Sequence, residues 1–191
     1  MVLRAYQRGG LVSRFNRQTY LGINRESSRS FREWRLLQWM YEQGLPVPQP
    51  IAASICRWPF ALSPFYRAWI LVQRIENTQT LDHYLSIQSL AATHWQAIGQ
   101  CIARFHRHNI YHADLNANNV LLDNQQNIYL IDFDRAQLRS GADKQARWKQ
   151  DNLQRLRRSL FKQQGLHGTY FFQQANWEAL LKGYQQLSTD Y

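Results

Sequence analysis

Apolar residues recur at helical spacing in several parts of the chain. The clearest pattern lies on one face of a predicted helix that Thr93 would cap. That face consists of four apolar residues, Trp95, Ile98, Ile102 and Phe105. A second helix is predicted over residues 30–40, with a preceding hydroxyl residue as its possible cap. Two more helices are predicted around residues 150–161 and 177–184.

Short apolar runs rich in β-branched and aromatic residues predict the strands. They cover residues 2–4, 51–55, 69–75, 120–122 and 128–131. The proline-rich residues 44–50 end the helix of residues 30–40, because proline lacks a backbone donor and disfavours helix in the residue before it. A turn is predicted at the glycines of residues 8–10, and a polar turn at residues 123–127 joins the last two strands.

The most informative segment is residues 112–119, which has the spacing His-x-Asp-x-x-x-x-Asn and leads into a predicted strand. The polar turn, a second strand and the run Ile131-Asp132-Phe133-Asp134 follow. This order matches the catalytic loop and metal-binding aspartate of protein-kinase-like phosphotransferases. The alternative is an Asn-rich turn between a helix and a hairpin, since Asn and Asp favour turns. The combination of motif and structural context favours the kinase-like interpretation.

Phosphoryl transfer explains why these residue types occur together. A carboxylate accepts or orients the proton of the attacking hydroxyl, while an amide oxygen and a second carboxylate hold magnesium against the phosphates. The spacing assigns the first role to Asp114 and the second to Asn119 and Asp132. His112 has the position of a residue that braces the backbone and does not react.

Two positions depart from the protein-kinase pattern. Ala113 stands where protein kinases use an arginine to receive an activation-loop phosphate, so control by phosphorylation is not expected. Asp134 replaces the glycine of the Asp-Phe-Gly motif, and aspartate adopts positive φ only at some cost. Flipping of this segment is therefore expected to be restricted.

The chain of 191 residues has a formal net charge of +10, which implies an anionic partner. No nucleic-acid-binding motif accompanies the charge, so nucleic acid is not the expected partner. Positive charge concentrates in residues 4–17 and 144–162. In the second segment Leu153, Leu156 and Leu160 share a helical face and the arginines project elsewhere. They form either a solvated surface or a binding face for acidic lipid or sugar.

The composition is that of a globular protein, since 45% of the residues are hydrophobic. No apolar run approaches the roughly 18 residues of a membrane-spanning helix, and the N-terminus lacks a signal-peptide pattern. The expected location is cytosolic or peripheral. Cys56 and Cys101 lie in apolar segments without CxxC spacing, so both are expected to be buried, reduced thiols in a reducing compartment.

Six segments spread over nearly the whole chain carry a resemblance to one family: residues 2–4, 8–11, 29–33, 44–48, 112–119 and 157–160. They resemble the 3-deoxy-D-manno-octulosonic acid (Kdo) kinases, which belong to the lipopolysaccharide kinases of Gram-negative bacteria. The resemblance implies phosphorylation by ATP, with Mg²⁺, of O4 of a Kdo residue in Kdo-lipid A during synthesis of the lipopolysaccharide inner core. It also implies a peripheral position on the anionic cytoplasmic face of the inner membrane.

The resemblance supports the loop assignments and adds residues that would bind the nucleotide. Glu33 would be the helix carboxylate that pairs with Arg4, the cation on the strand where protein kinases have lysine. Glu76 and Asn77 would contribute at the interlobe hinge. Two alternatives stay open: Arg4 as a solvated strand residue, and Glu33 as a partner in exposed i,i+4 pairs.

The predicted fold class is α+β, a protein-kinase-like, two-lobed fold that forms one kinase-like domain. Residues 1–76 would form a partial N-lobe, and residues 77–191 a mainly helical C-lobe with the catalytic loop. The N-lobe is expected to be truncated, because no Gly-rich loop and no earlier strands precede the strand of residues 2–4. Two other functions stay open: a protein or small-molecule kinase on the same scaffold, and a pseudokinase-like binding module.

Overall fold

A computed structural model describes residues 1–6, 20–21, 28–57, 60, 63, 65–139 and 147–188. The chain forms two compact units, Met1–Ile75 and Glu76–Tyr191. Small sheets combined with helices agree with the predicted α+β class. The predicted turn at residues 8–10 lies outside the described residues. The truncated N-lobe, the two-lobed arrangement and the division into lobes stay predictions.

An antiparallel sheet organises the first unit around one strand. Its members are β1 (Val2–Ala5), β2 (Tyr20–Leu21), β3 (Pro50–Arg57) and β4 (Phe65–Val72). The first three strands all pair with β4. Successive side chains of a strand point to opposite faces, so every second residue of β4 is buried. These buried residues are Tyr66, Ala68 and Ile70.

Helix α1 (Arg29–Glu42) packs against β3 and β4. Its inner face buries Leu37 and Met40 together with the carboxylate of Glu33. A hydroxyl residue precedes the helix as predicted, because Ser28 is its N-cap residue, but the side chain of Ser28 makes no capping hydrogen bond. Ser30 lies inside the first turn, where its Oγ donates to the backbone oxygen of Ser54 at 3.3 Å.

The end of α1 is set by Gly44, whose φ of +68° is the left-handed conformation that glycine adopts without cost. The N–H of Gly44 donates to the oxygen of Tyr41 at 3.0 Å, and the N–H of Leu45 donates to that of Met40 at 3.0 Å. This bonding pattern is a Schellman motif. The chain therefore leaves the helix at the position that the glycine and the prolines predict.

Two helices in close contact form the core of the second unit. They are α3 (Ala92–Arg107) and α5 (Gln174–Ser188). A Cβ on Gly99 would lie 2.0 Å from the backbone oxygen of Leu180, and one on Gly183 would lie 2.0 Å from that of Gln96. Only glycine fits at these two positions, so they determine how closely the helices approach.

The predicted core face of α3 is confirmed, since all four of its apolar residues are buried. The predicted cap is wrong: the helix begins at Ala92, and Ala91 precedes it without a side-chain hydrogen bond. Thr93 lies inside the first turn. Helical periodicity identified the buried side of this helix and not its first residue.

The rest of the second unit contains two helices and two small sheets. The helices are α2 (Leu81–Ile87) and α4 (Arg147–Leu166). The strands are β5 (Thr78–Thr80), β6 (Ile110–Tyr111), β7 (Val120–Asp123), β8 (Ile128–Leu130) and β9 (Gln137–Leu138). Sheet order is β5-β7-β8 and β6-β9, all antiparallel. Strands β7 and β8 lie where the sequence predicts strands, at residues 120–122 and 128–131. Strands β5, β6 and β9 were not predicted, because strands of two or three residues give no periodic signal.

No helix in the described part of the chain has the length and apolar character needed to cross a membrane.

Two smaller predictions are corrected. The strand predicted over residues 69–75 runs from Phe65 to Val72. Cys56 is exposed on β3, whereas Cys101 is buried as expected. Burial raises the pKa of the Cys101 thiol to about 12, so this cysteine is an inert core residue.

Replacing Gly99 or Gly183 by alanine is expected to destabilise the protein by about 3 kcal/mol, because the new methyl group would press against backbone that cannot move aside. Urea denaturation measures the change. Gly165 in α4 is the matched control, since nothing lies within 4 Å of a Cβ there. Gly165→Ala should leave stability unchanged or raise it slightly. Equal effects at all three glycines would contradict the packing argument.

Candidate active site

The loop of residues 112–119, called the catalytic loop below, connects β6 to β7. It ends in one turn of 3₁₀ helix, Ala117–Asn119. The side chain of Asn116 starts this turn, because its oxygen accepts a hydrogen bond from the N–H of Asn118 at 2.9 Å. The asparagines of the motif are therefore partly structural, as the alternative interpretation of the segment proposed.

Asp114 is held by its backbone, and its carboxylate is unpaired among the residues that the structure describes. Its backbone oxygen accepts from the side-chain amides of Asn116 at 3.0 Å and Asn119 at 2.8 Å. Its carboxylate makes no hydrogen bond or ion pair with the described residues. A fixed backbone and an unengaged carboxylate beside a pocket suit a group that must receive a proton from a bound hydroxyl.

Asn119 links the two halves of the site. It is only 8% exposed, and its side-chain nitrogen is the donor to Asp114. An amide that donates through its nitrogen presents its oxygen on the other side, here toward the pocket that it lines. Its backbone oxygen accepts from the N–H of Ile131 at 3.1 Å.

Asp132 has φ +65°, a left-handed conformation that aspartate adopts at some cost. The sequence placed this constraint two residues later, at Asp134, but Asp134 does not have positive φ. Phe133, 1% exposed, anchors the segment between the two aspartates. It stacks on Phe105 and contacts the ring of His112 at centroid distances of 5.7 and 4.7 Å.

His112 braces the loop through both ring nitrogens, as its position in the motif predicts. Its Nδ1 accepts from the N–H of Asp114 at 3.2 Å, so its Nε2 must carry the proton that it donates to the oxygen of Ile131 at 2.9 Å. Burial lowers the pKa of His112 and keeps the ring neutral. Both nitrogens are occupied, so the ring has no free atom for acid–base chemistry.

Helix α4 is hydrogen-bonded to the catalytic loop at two points that the sequence did not predict. The side chain of Asn152 accepts from the N–H of His112 at 3.1 Å and donates to its backbone oxygen at 2.8 Å. The hydroxyl of Ser159 accepts from the N–H of Ala117 at 3.1 Å. Asn152 lies four positions before Leu156, on the buried face of the helix. A polar residue on this otherwise apolar face was the feature of the sequence that could have indicated a buried hydrogen bond.

A pocket of about 460 Å³ brings together Asp114, Asn119 and Asp132, the three residues predicted for chemistry and metal binding. Residues of α4 complete its wall: Arg155, Arg158, Ser159, Lys162 and Gln163. A second pocket of about 510 Å³ shares Asp114, Asp132 and Arg155 with the first and includes Asp134 and Ala113. The sequence did not place α4 in this site.

The predicted nucleotide residues of the first unit, Arg4 and Glu33, form an ion pair. The hydroxyl of Tyr6 also donates to the Glu33 carboxylate. Burial and the neighbouring carboxylate raise the pKa of Tyr6, which keeps it protonated as a donor. Glu33 is buried, so the alternative of exposed i,i+4 pairs does not apply. The role of this pair toward a nucleotide stays a prediction.

Glu76 and Asn77 lie at the start of the second unit and are exposed. Asn77 has φ +54° just before β5. Neither residue lines the two pockets of the described structure that contain Asp114. Their role as nucleotide-binding residues stays a prediction.

The donor set fits a magnesium ion. In the described part of the chain no group of three His, Cys, Asp or Glu side chains could hold a metal. Mg²⁺ does not need such a group, because it keeps several waters and is bound by one or two protein oxygens together with substrate phosphates. The amide oxygen of Asn119 and the carboxylate of Asp132 are oxygen donors on the same pocket.

Two carboxylates and an amide oxygen around one pocket are the groups that a kinase needs to transfer phosphoryl to a hydroxyl. A family model described as "Lipopolysaccharide kinase (Kdo/WaaP) family" matches residues 1–184, and the chain belongs to that family. It is a phosphotransferase with an alcohol group as acceptor. This confirms the resemblance inferred from the sequence.

Several curated proteins are similar to the chain, and those described next bear the name 3-deoxy-D-manno-octulosonic acid kinase. The protein of Mannheimia succiniciproducens is 44% identical over 186 residues, 96% of this chain and 74% of the relative. That of Haemophilus influenzae strain 86-028NP is 43% identical over 187 residues, 96% of this chain and 75% of the relative. That of Xylella fastidiosa strain M12 is 44% identical over 164 residues, 86% of this chain and 63% of the relative.

Acid is expected to destabilise the protein through its two buried histidines. Burial lowers the pKa of His106 from 6.5 to about 3 and lowers that of His112 as well. Between pH 6.5 and about 3, the histidine of the unfolded chain binds a proton that His106 of the folded chain does not. The free energy of unfolding therefore falls as the pH falls below 6.5. His106 alone should contribute about 1.4 kcal/mol per pH unit.

Urea denaturation at pH 7.5 and 5.5 measures this dependence. His106→Gln should reduce the slope of stability against pH, whereas His83→Gln, at an exposed position, should leave it unchanged. An equal slope in all three proteins would show that the buried histidines are not its source.

Proposed function

We propose that this chain is an ATP-dependent kinase that phosphorylates O4 of a Kdo residue in Kdo-lipid A during synthesis of the lipopolysaccharide inner core. The observation that carries the proposal is the pocket formed by Asp114, Asn119 and Asp132. Relatives more than 40% identical over 96% of the chain bear the name of a Kdo kinase, which supports the choice of acceptor.

In this proposal Asp114 receives the proton of the acceptor hydroxyl as that oxygen attacks the γ-phosphate of ATP. The bonds from Asn116 and Asn119 to its backbone oxygen, and from its N–H to His112, fix the direction of the carboxylate. Positioning of this kind supplies most of the protein's contribution, since phosphoryl transfer requires little covalent chemistry from the enzyme.

Asn119 and Asp132 would hold Mg²⁺ through their side-chain oxygens. When bound, the metal neutralises the charge that develops on the phosphates. The protein keeps these two oxygens in place through Ile131, whose N–H bonds to Asn119 and whose carbonyl bonds to His112. The ion pair of Arg4 and Glu33 and the pair Glu76 and Asn77 are proposed to contribute to ATP binding.

We also propose a peripheral location on the cytoplasmic face of the inner membrane. The acceptor is lipid-linked, so the enzyme must work at a membrane surface. A net charge of +10 supports attraction to anionic lipid, where each basic residue near the surface contributes about 1 kcal/mol.

Asp114→Asn should lower kcat on Kdo-lipid A by about 100-fold or more, because the amide has the shape of the carboxylate but cannot accept the proton. Transfer of labelled phosphate from ATP measures the rate. Asp151→Asn is the matched control, since Asp151 is exposed on α4 and lines neither pocket. Near-full activity of Asp114→Asn would remove Asp114 as the base.

A panel of acceptors tests the substrate. Wild-type enzyme should transfer phosphate to Kdo-lipid A and not to casein or to neutral hexoses. Transfer to protein or to neutral sugar instead would favour another kinase on this scaffold. Binding of ATP without transfer to any acceptor would favour the pseudokinase interpretation.

Asp132→Asn should raise the Mg²⁺ concentration that gives half-maximal activity by roughly tenfold or more, because an amide oxygen is a weaker ligand than a carboxylate for a hard cation. A titration of activity against Mg²⁺ at saturating ATP measures the shift. Asp151→Asn should titrate like the wild type. An unchanged Mg²⁺ requirement in Asp132→Asn would contradict its assignment as a ligand.

A further inference from the structure

Three cations of helix α4 line the same pocket as the proposed base. Arg155, Arg158 and Lys162 are spaced three and four residues apart, so they lie on one side of the helix. They face a pocket whose other charged groups are Asp114 and Asp132. The part of the site formed by α4 is therefore basic, and the same pocket contains the carboxylates of Asp114 and Asp132.

These three cations are not used to hold the fold together. Within the described residues none of them makes a hydrogen bond or an ion pair. Their neighbour Arg157 differs: it donates to Gln174 at 3.2 Å and lies over the rings of Phe161 and Trp177. Arg157 therefore takes part in packing. The three cations on the pocket side make no such contact with the described residues and are available to bind a ligand.

The position of this basic wall relative to Asp114 is fixed by the same helix. Asn152 and Ser159 bond α4 to the catalytic loop one turn before and one turn after Leu156, which is fully buried. The three cations therefore extend from a helix that cannot move without disturbing the loop. A binding site built on rigid elements orients its ligand better than one built on a loop.

We infer that Arg155, Arg158 and Lys162 form the acceptor subsite and bind an anionic group close to the hydroxyl that is phosphorylated. This inference rests on the proposed function. An octulosonic acid carries a carboxylate, and a lipid A carries phosphates, so either can supply the anion. Arginine matches both groups through two parallel N–H donors.

Charge balance explains why such a subsite is needed. An anionic acceptor that approaches Asp114 meets two carboxylates of the same sign, which repel it in a partly desolvated pocket. The three cations of α4 in the same pocket outweigh this repulsion. They also orient the acceptor, because the anion is held on the α4 side while the hydroxyl faces the base.

Steady-state kinetics of Arg158→Gln and Lys162→Gln test the inference. Each change should raise KM for Kdo-lipid A by roughly tenfold, since a charge-assisted hydrogen bond is lost, and should leave KM for ATP within about twofold of the wild type. Arg158→Lys should recover only part of the loss, because lysine keeps the charge without the planar fork. Lys182→Gln, an exposed change on α5, is the control for bulk charge and should leave both KM values unaltered.

Modified acceptors identify the anion. One is Kdo-lipid A whose Kdo carboxylate is a methyl ester, and the other is Kdo-lipid A without its lipid A phosphates. The modification that removes the bound group should raise KM in the wild type and abolish the further effect of Arg158→Gln, since the two changes remove the same contact. If both variants lose affinity equally for every acceptor, the inference is wrong.

Two other outcomes would also overturn it. If the variants raise KM for ATP and leave KM for the acceptor unchanged, the cations bind the nucleotide phosphates. An equal rise in Lys182→Gln would assign the effect to net charge. If the wild type transfers nothing to any Kdo acceptor, the proposed function fails, and calorimetric titrations of free Kdo and of inorganic phosphate then test the subsite alone. Binding that Arg158→Gln and Lys162→Gln weaken would support the subsite, and no binding would reject it.

Discussion

The site depends on the way one peptide, that of Ile131, is bonded on both sides. Its N–H donates to the backbone oxygen of Asn119, and its carbonyl accepts from Nε2 of His112. The residue that follows is Asp132, while Asn119 and His112 both bond to Asp114. Two aspartates that are distant in sequence are therefore connected through three hydrogen-bonded residues. Each of these bonds joins a backbone group to a backbone group or to the side chain of His112 or Asn119, both of which are buried, so the backbone at the two aspartates is held by buried residues.

Helix α4 extends this constraint to the rest of the pocket. Asn152 bonds both the N–H and the carbonyl of His112, and Ser159 bonds the far end of the loop. Asn152 and Ser159 are about two turns apart, and a helix held at two such points has little freedom to rotate. The side of the helix that carries Arg155 and Lys162 is consequently directed toward the pocket. The same contacts thus determine the geometry of the chemistry and of the basic wall that faces it.

Sequence reasoning succeeded where local rules decide the structure and failed where tertiary contacts do. The core face of α3 follows from periodicity, and the motif of residues 112–119 follows from the spacing of Asp114 and Asn119. The capping bonds predicted from hydroxyl residues are absent: Ser28 precedes α1 without a side-chain capping bond, and Thr93 lies inside α3 and not before it. Asn152 could not be assigned, since its partner lies forty residues away in sequence. The sequence predicted that α4 has a basic face, but it did not predict that this face lines the pocket of Asp114.

The neutral state of His112 is itself a requirement of this architecture. Protonation would turn Nδ1 into a donor that faces the N–H of Asp114, and two donors cannot share one hydrogen bond. The catalytic loop would then lose a contact that holds Asp114, the proposed base. Burial lowers the pKa of His112 and prevents this state, and the carbonyl of Ile131 selects the tautomer that has its proton on Nε2. Burial, usually a cost for a polar ring, here protects the hydrogen-bond direction that the chemistry needs.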